Sequence, residues 1–470
     1  MTTRADAIAS ALAWFDDEDA GYFKTLSDRV AVPTESQEPS QLPELYRYLT
    51  DFIRPDFEAM GYETTVYDNP FEGGGPVLLA SRIEDPSLPT ILGYGHGDTV
   101  RGQAERWTKG EGPWNLSRDG DRVYGRGTAD NKAQHTTHMG AIKAVLETRG
   151  KLGFNSKFMV ETGEENGSKG LKDLVAQHKQ DFMADAYFAS DGPRVSVSRP
   201  NLTLGNRGCV NFDLVVNLRD GGHHSGNWGG LLSNPGVILS HALATIVDQK
   251  GRILVDALKP PPISNSVRDA LKGIARDGGK DAPEIDENWG EPGLTSAEKV
   301  YAWNSFEVLA FTTGNPSNPV NAIPPRARAN CQLRFVVGTD YRNLRQNLRK
   351  HLDANGFEMV EIADPPPGND AIFLAARTPP DHPWAEWVKG AVKRTTGEIP
   401  DVMPNSGGSI CNDVFQDVLE IPFVWMPLSY TGCSQHAPDE HILWSLTREG
   451  MELVTGVYWD MGEEGTAYRP

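Results

Sequence analysis

PTILGYGHGD, residues 89–98, reads as a buried strand that runs out onto His96, Gly97 and Asp98. An unbroken apolar run of this length marks a strand covered on both faces. Its neighbours repeat the theme. GYETTVYD (61–68), VLLASRI (77–83), KFMVE (157–161) and DAYFAS (185–190) read as strands. LPELYRYLTDFIRPDFEAM (42–60), NKAQHTTHMGAIKAVLETR (131–149) and SKGLKDLVAQHKQ (168–180) read as helices. This alternation predicts a doubly wound α/β sheet with helices on both faces.

From about Leu204 the texture changes. GNRGCVNFDLVVNLRD (205–220) and RARANCQLRFVVG (326–338) alternate apolar and polar residues at period two, as half-exposed antiparallel strands do, and GCVNFDLVV is expected at an exposed edge. Between them lie a helix, NPGVILSHALATIVDQ (234–249), and a stretch rich in Pro, Gly and charge from Pro260 to Pro292. The helix YRNLRQNLRKHLDANG (341–356) and the strand FEMVEIAD (357–364) follow. The Pro clusters at 260 and 365 read as loops. WAEWVKGAVKRTTG (384–397), IPFVWMPL (421–428) and a helix after Asp439 return to the first style. The expected organisation is one α/β domain over 1–205 and 377–470, interrupted by a small α+β domain over 206–376.

Acidic and histidine clusters recur where the apolar runs end: His96 and Asp98, Asp130 in GRGTADNK, Glu164-Glu165 after KFMVETG, Asp191 after DAYFAS, and His436 in the loop beyond IPFVWMPL. Each has a bland reading alone. Asp130 suits a helix N-cap, Glu164-Glu165 a solvated turn, and His436 a surface loop. In an open α/β sheet, however, ligands bind outside the carboxyl ends of the strands, so residues far apart in sequence can converge there. Two imidazoles with several carboxylates form a ligand set for zinc, cobalt or manganese. One carboxylate more than a single tetrahedral ion needs points to two ions sharing a bridge. His96 then serves as a ligand, with Asp98 hydrogen-bonded to its other ring nitrogen. One of Glu164 and Glu165 binds metal while the other acts as general base.

The 470 residues carry a formal charge of −19 and no Lys/Arg-rich run, which argues against nucleic acid as a partner. Cys209, Cys331, Cys411 and Cys433 contain no C-x-x-C pair, and reduced thiols are expected. The acidic N-terminal segment reads as an amphipathic helix rather than a signal, and no apolar run reaches the roughly 18 residues of a membrane span. A cytoplasmic protein with no membrane association is the expectation.

Taken in order, H-G-D, W-x5-P-W with GDRVYGRGTADNK, E-T-G-E-E-N-G-S-K-G-L, A-S-D-G, an inserted H-S-G, then G-G-S and H-A-P-D-E resemble the co-catalytic zinc exopeptidases and deacylases. That family includes cytosolic nonspecific dipeptidase, carnosinase, glutamate carboxypeptidase, N-acetylornithine deacetylase, succinyl-diaminopimelate desuccinylase and aminoacylase. The resemblance implies a zinc-exopeptidase-like mixed sheet with an inserted lid and dimerisation domain. It implies two divalent ions per chain, zinc before cobalt or manganese. One sits on His96, Asp130 and Asp191, the other on Asp130, Glu165 and His436, with Glu164 as base and Asp98 behind His96. His224 in HHSGNWGG, Asn321 in NPVNAIP and Arg334 in QLRFVVG match positions that polarise the scissile carbonyl or hold the substrate carboxylate. The Gly407-Gly408-Ser409 turn could cradle an anion through its backbone N–H groups. The implied substrate is a dipeptide or an N-acyl amino acid, and the implied assembly a homodimer in which His224 serves its own or the partner's site. A two-metal phosphoesterase and a non-catalytic metal-binding scaffold are the rival readings. Two departures from the family pattern, Arg101 three residues after Asp98 and Asn131-Lys132-Ala133 after Asp130, remove no ligand.

Overall fold

The computed structural model describes residues 2–274, 284–365 and 372–464. Its strands, in chain order, are β1 (Glu63–Tyr67), β2 (Val77–Arg82), β3 (Thr90–His96), β4 (Asn155–Glu161), β5 (Ala186–Ala189) and β6 (Asn201–Thr203). They continue with β7 (Gly208–Asn217), β8 (Ser305–Thr313), β9 (Arg326–Phe335), β10 (Val360–Ala363), β11 (Asp401–Met403) and β12 (Phe423–Trp425). Several two- and three-residue bridges are left unlabelled.

Eight strands form the main sheet in the order β1-β2-β4-β3-β5-β12-β6-β11. β3 runs parallel to β4 and β5, and β12 parallel to β5, while β1, β2 and the single β12–β6 pair are antiparallel. The mixed, doubly wound α/β class expected from the sequence is what forms. Its cause is visible in the side-chain alternation: Leu78, Ala80, Ile91, Phe158 and Val160 enter one core. Val77, Leu79, Leu92, Tyr94 and Met159 enter the other. A strand apolar on both faces can be buried only between two helical layers. The helices Arg4–Phe15, Ala133–Arg149, Pro383–Thr396 and Trp444–Glu464 cover the first face, and Leu171–Gln177 with Val414–Leu419 cover the second.

A second sheet, β8-β9-β7-β10, is wholly antiparallel and has its own core with the helices Pro235–Ile246 and Leu344–Ala354. Here one expectation fails. β7 is not an edge strand, because β9 pairs along one side and β10 closes the other. The edge belongs to β8, where Val308, Leu309 and Phe311 are 41%, 58% and 40% exposed. The Pro cluster at 260 has no regular structure, as expected; beyond it the 260–292 stretch forms the short helix Asn265–Ala270, capped by Ser264, while 275–283 lie outside the described residues. The Pro cluster at 365 likewise continues outside them after its first residue.

Candidate metal centre

β3, β4 and β5 are adjacent and parallel, so His96 at the end of β3, Glu164-Glu165 beyond β4 and Asp191 beyond β5 emerge on the same rim. Gly97 is required there. A Cβ at that position would lie 2.4 Å from the Tyr48 ring. Asp130 reaches the rim by another route than the sequence suggested. It follows Arg122–Tyr124, a strand of a separate three-stranded sheet, and enters the helix Ala133–Arg149 from a turn. His436 comes from the loop between Ser429–Tyr430 and His441–Leu443.

The geometry gathers these side chains around one carboxylate. Asp130 Oδ1 is 2.8 Å from His96 Nε2, and Asp130 Oδ2 is 3.0 Å from His436 Nε2. His96 Nε2 is also 3.6 Å from Asp191 Oδ2, and His436 Nε2 is 3.0 Å from Glu165 Oε2. Two trios of donor atoms result: His96, Asp130 and Asp191, and Asp130, Glu165 and His436, the atoms of each lying within 4.8 Å of one another. Ligands about 2.1 Å from a tetrahedral ion stand roughly 3.4 Å apart, so both trios fit a divalent ion with one more position for water or substrate.

Electrostatics favours the same conclusion. Asp98, Asp130, Glu164, Glu165 and Asp191 crowd around two imidazoles in a largely desolvated place. Burial pushes the Glu165 carboxyl up to about 7, with Asp130 adding to the rise, and burial lifts Glu164 well above its ordinary range. Hydrogen bonds to Asp130 and then Glu165 raise His436 to about 11. Burial alone lowers His96, but the bonds it makes to Asp130, Asp191 and Asp98 outweigh that and raise it. Uncompensated carboxylates in low dielectric attract cations as they attract protons.

The supporting contacts are specific. Asp98 is fully buried, and its carbonyl oxygen and Oδ1 lie 3.2 and 3.4 Å from His96 Nδ1. The Asp98 carboxylate also accepts the backbone N–H groups of Glu164 at 3.2 Å and Glu165 at 3.0 Å, a task the sequence did not reveal. Glu440 was missed as well. Buried beside Arg126 at 2.7 Å, it accepts the N–H groups of Gly127, Ala129 and Asp130 and so sets the turn that aims Asp130. Its place in HAPDEH, four residues after His436, was the available signal. Asn131 Nδ2 donates to the Ser190 carbonyl at 2.8 Å, tying that turn to β5. The departures are accounted for: Arg101 pairs with Glu38 on the surface, and Lys132 is buried, donating to the carbonyls of Arg29 and Val32.

A cavity of about 1140 Å³ opens on the cluster, with Asp130, Glu164, Asp191 and His436 in its wall beside Gly407, Gly408 and Ser409. Arg334 stands behind the turn, its Nη1 donating to Ser409 Oγ at 3.1 Å. Arg334 is not in this wall, and neither are His224 and Asn321. The latter two sit on a small exposed ladder, with His224 opposite Ala322 and the Asn321 carbonyl accepting the N–H of Ser225 at 2.9 Å.

Residues 92–459 match the model of Peptidase family M20/M25/M40. The mouse Beta-Ala-His dipeptidase is 25% identical over 426 residues, which cover 84% of this chain and 81% of that protein. A Cys-Gly metallodipeptidase of Saccharomyces cerevisiae is 23% identical over 476 residues, covering 93% and 94%. The crystal structure of human carnosine dipeptidase 1 superposes with a TM-score of 0.75 at 23% identity, covering 97% of this chain and 99% of that one, and shares its fold.

Proposed function

We propose that this chain, which belongs to peptidase family M20/M25/M40, hydrolyses dipeptides and related N-acylated amino acids that carry a free carboxylate, at a centre for two divalent ions. Metal-dependent peptide hydrolysis follows from the family membership. The observation that carries the residue assignments is the Asp130 carboxylate, one oxygen toward His96 and the other toward His436, in the wall of a cavity that also holds Glu164. Zinc is the ion that this nitrogen and oxygen set suits best, with cobalt and manganese as alternatives. The comparisons lend no support to a phosphoesterase or a scaffold. Among the described residues no helix is long and apolar enough to cross a membrane. The four cysteines are unbridged and buried, which favours a cytoplasmic location.

Bound there, two ions supply Lewis acidity toward a carbonyl and make water more acidic. The protein does the rest. His96 is held in orientation by Asp98. The Glu164 carboxylate takes the proton of the attacking water and returns it to the nitrogen of the leaving amine. The 407–409 turn receives the free carboxylate, with Arg334 behind it donating to Ser409 Oγ and adding the planar positive charge that an ammonium does not reproduce. Charge-assisted bonds of this kind contribute about 1.5–3 kcal/mol each, worth roughly tenfold to a hundredfold in kcat/KM. Amine release should therefore be faster from dipeptides than from their C-terminal amides by that factor, and Arg334→Lys should lose the preference. Equal rates on acid and amide would redirect the assignment toward neutral amides.

His224 and Asn321 point to the assembly. A histidine that stabilises the developing oxyanion must reach the cavity, and these residues lie outside it in their own chain. A homodimer through 206–376, with the apolar β8 edge in its interface, would let each copy complete the other's site. Mixing inactive Glu164→Ala and His224→Ala chains should then restore part of the activity through hybrid sites. No recovery after verified subunit exchange would show that His224 does not act across the interface.

A further inference from the structure

Resting on the peptidase reading, we propose that Arg207 is a positioning residue that locks the 407–409 turn in the shape that receives the substrate carboxylate. A Gly-Gly pair is the place where a peptide plane rotates at least cost. Gly407-Gly408 is such a pair, and a Cβ on Gly408 would meet nothing within 4 Å, so packing does not fix it. Hydrogen bonds do. Arg207 Nε and Nη2 converge on the Gly407 carbonyl at 3.3 and 3.1 Å. In a trans peptide the C=O and the following N–H point in opposite directions. Drawing the Gly407 oxygen toward Arg207 therefore turns the Gly408 N–H away from it. The next plane is held alike, by Ser406 Oγ donating to the Gly408 carbonyl at 3.1 Å. The Arg207 carbonyl meanwhile accepts Ser409 Oγ at 2.7 Å, and that hydroxyl accepts from Arg334.

Arg207 thus grips the turn twice, by side chain at Gly407 and by backbone at Ser409. It stands where the chain passes from β6 into β7, and Ser406 N donating to the Gly205 carbonyl at 2.7 Å joins the two segments there too. Arg207 also lines the cavity, so direct contact of its guanidinium with substrate is the competing role. Side-chain chemistry separates the two. A neutral donor suffices to hold a peptide carbonyl, whereas a carboxylate ligand needs the charge.

Arg207→Met and Arg207→Gln should be compared with wild type on the best dipeptide of a panel. The Met variant is expected to raise KM about tenfold with kcat within about threefold and metal content unchanged, and Gln to recover most of the loss. An unchanged KM in Arg207→Met would overturn the proposal. So would equal damage in Met and Gln together with recovery in Arg207→Lys, which would make Arg207 a direct ligand. Amide hydrogen exchange over 404–412 tests the clamp without substrate, so that failure of every dipeptide would count against the peptidase reading alone. Exchange should speed up about tenfold in Met and little in Gln, in line with loss of one modest hydrogen bond; no change in Met would overturn the clamp.

Discussion

Glu164→Ala is expected to abolish turnover of dipeptides while leaving the metal content of the protein at its wild-type level. Glu164 belongs to neither trio of donor atoms, so its removal takes no ligand from either ion. It lines the cavity, and its backbone N–H is held at 3.2 Å by Asp98. A positioned general base contributes typically 10²–10⁴-fold, and in the proposed role Glu164 would act twice, on the water and on the leaving amine, so the loss should fall at the top of that range. Parallel measurement of kcat and of metal per chain checks both halves. Full activity would remove Glu164 from the mechanism, and loss of an ion would make it a ligand.

The first half of the fold was legible because β2 to β5 are apolar on both faces, and nothing but two helical layers buries such strands. β6 and β11 were not read as strands. Each is three residues long, too short to show a period, and their reality rests on pairing with each other across 200 positions. β7 illustrates a different limit. Its composition marks a strand of a small antiparallel sheet, but a strand's own residues do not tell whether both sides are paired, and β10 supplies the partner that the edge reading lacked. His96, Glu165 and Asp191 were legible as expected ligands from their places at strand ends, Asp130 and His436 only from their order in the chain, and the two trios bring all five together. What could not be read was the scaffolding around them. Asp98 holding two backbone N–H groups and Glu440 holding three are main-chain contacts, which side-chain patterns do not spell out, although the place of Glu440 in HAPDEH hinted at it. The separation of His224 and Asn321 from the cavity was equally silent, since it depends on how the two sheets sit against each other.

The second large effect is expected at Asp130, and here the loss is of metal rather than of chemistry. Both carboxylate oxygens are engaged, Oδ1 toward His96 at 2.8 Å and Oδ2 toward His436 at 3.0 Å, and the residue belongs to both trios. Replacing it with Ala leaves each ion two protein ligands where three are needed to hold zinc with one open position. It would also leave Asp191 and Glu165 facing their histidines without the carboxylate that the two trios share. Activity should vanish with the metal, unlike in Glu164→Ala, where it vanishes alone. The most direct test of the dinuclear centre is therefore zinc bound per chain in the wild type and in Asp130→Ala, measured by elemental analysis after equilibrium dialysis. Two ions per chain in the wild type and at most one, weakly held, in Asp130→Ala are expected; two ions retained in Asp130→Ala would contradict the bridge.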